Sequence, residues 1–106
     1  MLFRSLYPRI ERRIEADEIE KAKEELKKII DLLRSRIDKK IYDKDPNLKT
    51  NFGFVGEDPV QIDFGRFKVD ETGEETQTRL IRITDRLCHW LELKSPELSQ
   101  FVRESL

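Results

Sequence analysis

The residues best suited to chemistry lie in the middle third of the chain, residues 41–75. Asp45 and Asn51 stand in one polar segment, and Asp63 follows a short apolar stretch. This third carries nine acidic and four basic side chains, a net charge of −5, and it contains all four glycines. Carboxylate and amide oxygens are hard ligands of the kind that Mg²⁺ prefers, and glycine permits tight turns and close backbone approach. The segment therefore suits turns and cation binding.

The order of these residues is also informative. The segment Ile41-Tyr-Asp-Lys-Asp-Pro-Asn-Leu-Lys-Thr-Asn-Phe-Gly-Phe54 is followed by Gln61-Ile-Asp-Phe-Gly65. An Asp, a later Asn, two short β-prone runs and Asp-Phe-Gly form the signature of one catalytic centre. The chain thus resembles the C-lobe of the protein-kinase-like superfamily, which includes the small-molecule kinases of the aminoglycoside phosphotransferase type.

This resemblance implies specific roles for four residues. Asp63 and Asn51 would hold Mg²⁺ against the phosphates of ATP, because phosphoryl transfer depends on positioning and on stabilisation of charge. Asp45 would be the base that positions an acceptor hydroxyl. Lys49 would steady the transferring phosphate, although its offset differs from that of the lysine common in protein-kinase loops. The implied cofactors are Mg²⁺ and ATP.

The resemblance covers about residues 17–67 and supplies half of a nucleotide cleft. Asp45 and Asn51 are six residues apart, where the protein-kinase pattern has five. No glycine-rich loop and no strand lysine in a Val-Ala-Ile-Lys-like context precede residue 40. We therefore expect a kinase-like C-lobe remnant, or a pseudokinase-like module, with at most weak Mg-nucleotide binding and no catalysis by the isolated chain. A protein partner or a missing N-lobe would complete the cleft.

Two alternatives remain open on the residues alone. One is that the chain is a piece of a longer phosphotransferase, and the other assigns the candidate residues structural roles. Asp43 and Asp45 are also typical turn residues, Asn51 can cap a loop, and Asp63 can be an exposed carboxylate at the end of a strand. On that interpretation the chain is a non-catalytic helical domain for protein–protein interaction, which would use the faces of its charged helices. The sequence does not specify an oligomeric state.

The pattern around these residues predicts an α+β fold. Apolar residues at intervals of three or four predict a long helix over about residues 17–39, which Ile10 and Ile14 would extend, and a second over about 76–94. Residues 52–55 and 60–64 predict a small antiparallel hairpin, with Phe52 and Phe54 sealing it onto the long helix. Ser95-Pro96 predicts the start of a short final helix. We expect one domain over residues 1–106, helical in 1–40 and 76–106, with loop and hairpin between.

Composition narrows the class of protein further. The 21 Lys and Arg nearly cancel the 22 Asp and Glu, so the net charge gives no indication of nucleic-acid binding. Cys88 is the sole cysteine, which excludes an internal disulfide. Cys88 and His89 are interpreted as structural, because adjacent helical residues point in different directions. Trp90 lies next to the apolar stripe and is interpreted as a core anchor. No run of 18 apolar residues occurs, so we expect no membrane contact and a cytoplasmic location.

Overall fold

The computed structural model describes residues 2–39, 41–43, 48–49, 51–62, 67–69 and 75–106, and for 41–43 and 67–69 it describes the backbone alone. The chain is mixed α+β, which confirms the predicted fold class. The elements in order are β1 (Phe3–Ser5), α1 (Leu6–Glu15), α2 (Ile19–Asp38), β2 (Ile41–Asp43), β3 (Phe52–Val55), β4 (Asp58–Gln61), β5 (Phe67–Val69), α3 (Thr76–Lys94) and α4 (Pro96–Ser105).

Within the described residues, the strands form two small antiparallel sheets. One has the order β1-β3-β4, and the other pairs β2 with β5. The predicted hairpin is confirmed as β3 and β4, but its connection is only Gly56-Glu57 because the second strand begins at Asp58. Gly56 has a φ of 64°, a backbone conformation that favours glycine. Pro59 is tolerated in β4 because this strand lies at the edge of its sheet.

The first helical region is two helices rather than one extended stripe. α1 ends at Glu15, and Asp17 takes a φ of 57° before α2 begins at Ile19. A left-handed residue commonly ends a helix, and the Glu18 amide donates back to the carbonyl of Arg13 at 2.8 Å. Ile10 and Ile14 therefore belong to a separate helix that packs on α2.

The core surrounds α2, which contacts α1, α3, α4 and β4. Its predicted apolar stripe is buried: Ala22, Leu26 and Ile29 are fully enclosed, and Leu33 and Ile37 nearly so. The other elements contribute further buried side chains, namely Leu6 and Ile10, Phe52 and Phe54, Leu80, Leu87 and Leu91, and Leu98 and Val102. Burial of this apolar surface is the main favourable term for the fold.

The two C-terminal helices begin and end close to the predicted positions. α3 spans Thr76–Lys94, and Pro96 occupies the first turn of α4 after Ser95. Thr76 does not cap α3, because it is the first helical residue and its hydroxyl donates to Asp38 Oδ1 at 3.1 Å. Glu75 is the cap residue, and it makes no side-chain capping bond.

β1 and β3 approach each other unusually closely at Gly53. A Cβ at this position would overlap the carbonyl oxygen of Arg4 and would lie 2.8 Å from Cζ of Phe3. The first contact is with backbone, which cannot move without shifting the strand. Gly53 is therefore required by the packing of the sheet.

We expect Gly53→Ala to lower the free energy of unfolding by about 1–3 kcal/mol, the usual range for overpacking. Urea denaturation followed by circular dichroism measures this change. Ser5→Ala is a matched control, because Ser5 pairs with Gly53 and its side chain makes no capping bond. Equal stability of Gly53→Ala and Ser5→Ala would contradict the close approach.

Candidate functional site

β2 precedes the predicted site residues in the sequence, β5 follows them, and the two strands pair with each other. Ile41 pairs with Val69, Tyr42 with Lys68 and Asp43 with Phe67. β2 therefore ends at Asp43, opposite Phe67, the residue at which β5 begins. The sequence did not indicate these strands, because three residues are too few to show alternation.

A second ladder, between β3 and β4, begins next to Asn51. β3 pairs with β4 from Val55↔Asp58 to Phe52↔Gln61. The amide of Ile62 then donates to the carbonyl oxygen of Asn51 at 2.9 Å, which extends the ladder by one residue. Asn51 therefore lies beside Ile62, the residue that precedes Asp63 in the sequence.

The structure describes two of the four predicted site residues. Lys49 is exposed and Asn51 is half-buried, and each takes part in an interaction. Asp45 and Asp63 lie outside the described residues, so convergence of the four side chains stays a prediction. A search of the described residues finds no group of three or more His, Cys, Asp or Glu placed to hold a metal ion.

Leu48 is a residue of this segment that sequence reasoning missed. Its side chain is 4% exposed and belongs to the hydrophobic core. Because it is an isolated leucine among polar residues, no periodicity identified it as buried. Its burial anchors the stretch that carries Lys49 and Asn51 to the body of the fold.

Alternation along the hairpin defines an outer sheet face. Phe52 and Phe54 point into the core, so the side chains of Asn51 and Val55 point to the opposite face. Cross-strand partners share a face, which places Phe3, Val60 and Ile62 there as well. We call these residues the outer sheet face: Phe3, Ser5, Asn51, Gly53, Val55, Asp58, Val60 and Ile62. Ile62 is 48% exposed, so an accessible apolar side chain lies next to Asn51.

A buried carboxylate joins α1 to α2 on another side of the fold. The Glu25 side chain is 7% exposed and accepts hydrogen bonds from Nε of Arg9 and, at 2.8 Å, from Nε of Arg13. The bond to Glu25 raises the pKa of Arg13. The Arg9 guanidinium also lies 4.5 Å from the centre of the Phe54 ring. Glu25 therefore links both helices to β3.

Charged side chains near Glu25 form further ion pairs through Glu18. Glu18 accepts from Arg13 at 3.1 Å and lies 2.9 Å from Nζ of Lys21. Hydrogen bonds from Lys21 and Arg13 lower the pKa of the Glu18 carboxyl. A groove of about 120 Å³ runs along this cluster and reaches Glu57 in the hairpin turn.

Cys88 and His89 do not form a reactive pair. Cys88 is 2% exposed, whereas the His89 side chain is exposed and its Nδ1 lies 3.0 Å from the carbonyl oxygen of Asp85. Burial raises the pKa of the Cys88 thiol, which reduces its thiolate fraction. Trp90 is partly buried and stacks on Tyr7 at a ring separation of 4.4 Å. These placements agree with structural roles.

Comparison with known proteins adds no relatives, since the chain matches no protein-family model, no curated protein and no solved structure. Among the described residues, none of the helices has the length and apolar character needed to cross a membrane.

We expect Glu25→Gln to lower the free energy of unfolding by about 2–3 kcal/mol, because it leaves two arginines beside a neutral group in a partly buried site. Urea denaturation gives the value. Glu24→Gln, which neutralises the exposed neighbour on the same helix, should change stability by less than about 0.5 kcal/mol. Similar losses in both variants would show that the buried cluster contributes nothing specific.

We expect iodoacetamide to alkylate native Cys88 on the order of 100-fold more slowly than the urea-unfolded chain, because reaction requires local opening and a thiolate. Mass spectrometry of timed samples measures the two rates. Comparable rates would mean that the thiol is accessible in the folded chain.

Proposed function

We propose that this chain is a kinase-like C-lobe module that binds Mg-nucleotide weakly and does not catalyse phosphoryl transfer by itself. The observation that carries the proposal is the pair of ladders flanking the candidate residues. One ladder joins Asp43 to Phe67, and the other joins Asn51 to Ile62. The order of strand, Asn-bearing segment, hairpin and Asp-Phe-Gly also agrees with the catalytic-centre signature.

The two ladders support binding of one cation by two segments, residues 44–50 and residues 63–66. They do so because they pair the residues that flank these segments at both ends. Residues 44–50 contain Asp45 and run from Asp43 to Asn51, while residues 63–66 contain Asp63 and run from Ile62 to Phe67. Paired backbones lie about 5 Å apart. Short segments with adjacent ends are favourably placed to bring carboxylate and amide oxygens to one cation, which is the arrangement that Mg²⁺ requires.

The outer sheet face supports a nucleotide rather than a bare phosphate as the ligand. A nucleotide presents an apolar base beside its charged phosphates, and binding sites for such ligands combine apolar surface with a few polar groups. Here Ile62 and Val60 lie on the same face as Asn51, and Ile62 is half-exposed. Apolar contact and candidate cation ligand are therefore adjacent.

The missing half of the nucleotide cleft accounts for the proposed lack of catalysis. Phosphoryl transfer needs cationic groups against the phosphates in addition to metal. The residues before position 40 contain no glycine-rich loop and no strand lysine in a Val-Ala-Ile-Lys-like context that would supply such groups. We propose that a protein partner or an N-lobe supplies the remaining cations and covers the base.

Isothermal titration calorimetry with Mg-ATP tests the proposal. We expect a Kd of about 0.1–1 mM for the unmodified chain, and at least about tenfold weaker binding for Asp63→Ala. Glu57→Ala removes an exposed carboxylate from the hairpin turn and should leave the affinity unchanged. Equal binding by the chain and Asp63→Ala, or no binding by either, would eliminate the metal-site proposal.

The proposed contact between Ile62 and the adenine ring of ATP is tested separately with Ile62→Ser. This variant should weaken binding of Mg-ATP but leave binding of Mg-tripolyphosphate, which lacks the base, unchanged. A uniform loss for both ligands would indicate a structural effect of the substitution and not contact with the base.

A second candidate function is protein–protein interaction through the outer sheet face, which the exposure of Ile62 favours. For the version in which the chain binds its own copies, sedimentation velocity should show a sedimentation coefficient that rises with concentration. Ile62→Ser should remove that rise, whereas Asp63→Ala should not. A strict monomer at all concentrations would exclude self-association through this face.

A further inference from the structure

We draw no further inference here: the strongest candidate, the groove of about 120 Å³ that α1 and α2 form around the buried carboxylate of Glu25, carries nothing because the arginines that line it already bind that carboxylate and nothing in the structure indicates a ligand.

Discussion

Burial of the apolar stripe of α2 is the constraint on which the other elements depend. Each of the other three helices contacts α2, and so does β4. Its side chains from Ala22 to Ile30 on the core side are fully buried. A chain of about 100 residues has a small core, so a single central helix must provide apolar surface for all its neighbours. The positions of α1, α3 and α4 follow from this requirement.

The same requirement determines which residues of the hairpin face outward. Two large rings, Phe52 and Phe54, enter the core from alternate positions of β3. A strand has only two faces, so the intervening residue Gly53 and the flanking residue Asn51 must lie on the other one. A shift of one residue in register would exchange the two faces and expose both rings. Core packing thus controls the orientation of Asn51, a residue that the core does not include.

The long helices could be predicted from the sequence because their apolar periodicity is strong. α3 was predicted over 76–94 and has those bounds, and Pro96 correctly indicated the start of α4. The break at Asp17 could not be predicted, because it depends on one backbone dihedral and not on a pattern of side chains. β1, β2 and β5 have three residues each, which is too short for alternation to appear.

Buried charge and close backbone approach are also invisible to sequence patterns. Glu25 lies among exposed glutamates and lysines of α2, and its burial depends on two arginines supplied by another helix. Gly53 and Gly56 are the same residue type, but Gly56 forms a turn whereas Gly53 allows β1 to approach β3 closely. For the candidate site, the residue types and their order could be predicted from the sequence. The burial of Leu48 and the pairing of β2 with β5 could not be predicted, because both depend on long-range contacts.

Charge is distributed unevenly along the chain. The two flanking thirds carry net charges of +3 and +1, whereas residues 41–75 carry −5. In the flanks, ion pairs such as Lys23–Glu97 and Lys94–Glu11 join helices that are distant in sequence. A local excess of negative charge raises the concentration of counter-ions around it, whatever the ligand geometry. That excess lies outside the two segments that the ladders join, because residues 44–50 and 63–66 together carry two acidic and three basic side chains. A cation bound between them would therefore depend on ligand geometry and not on net charge.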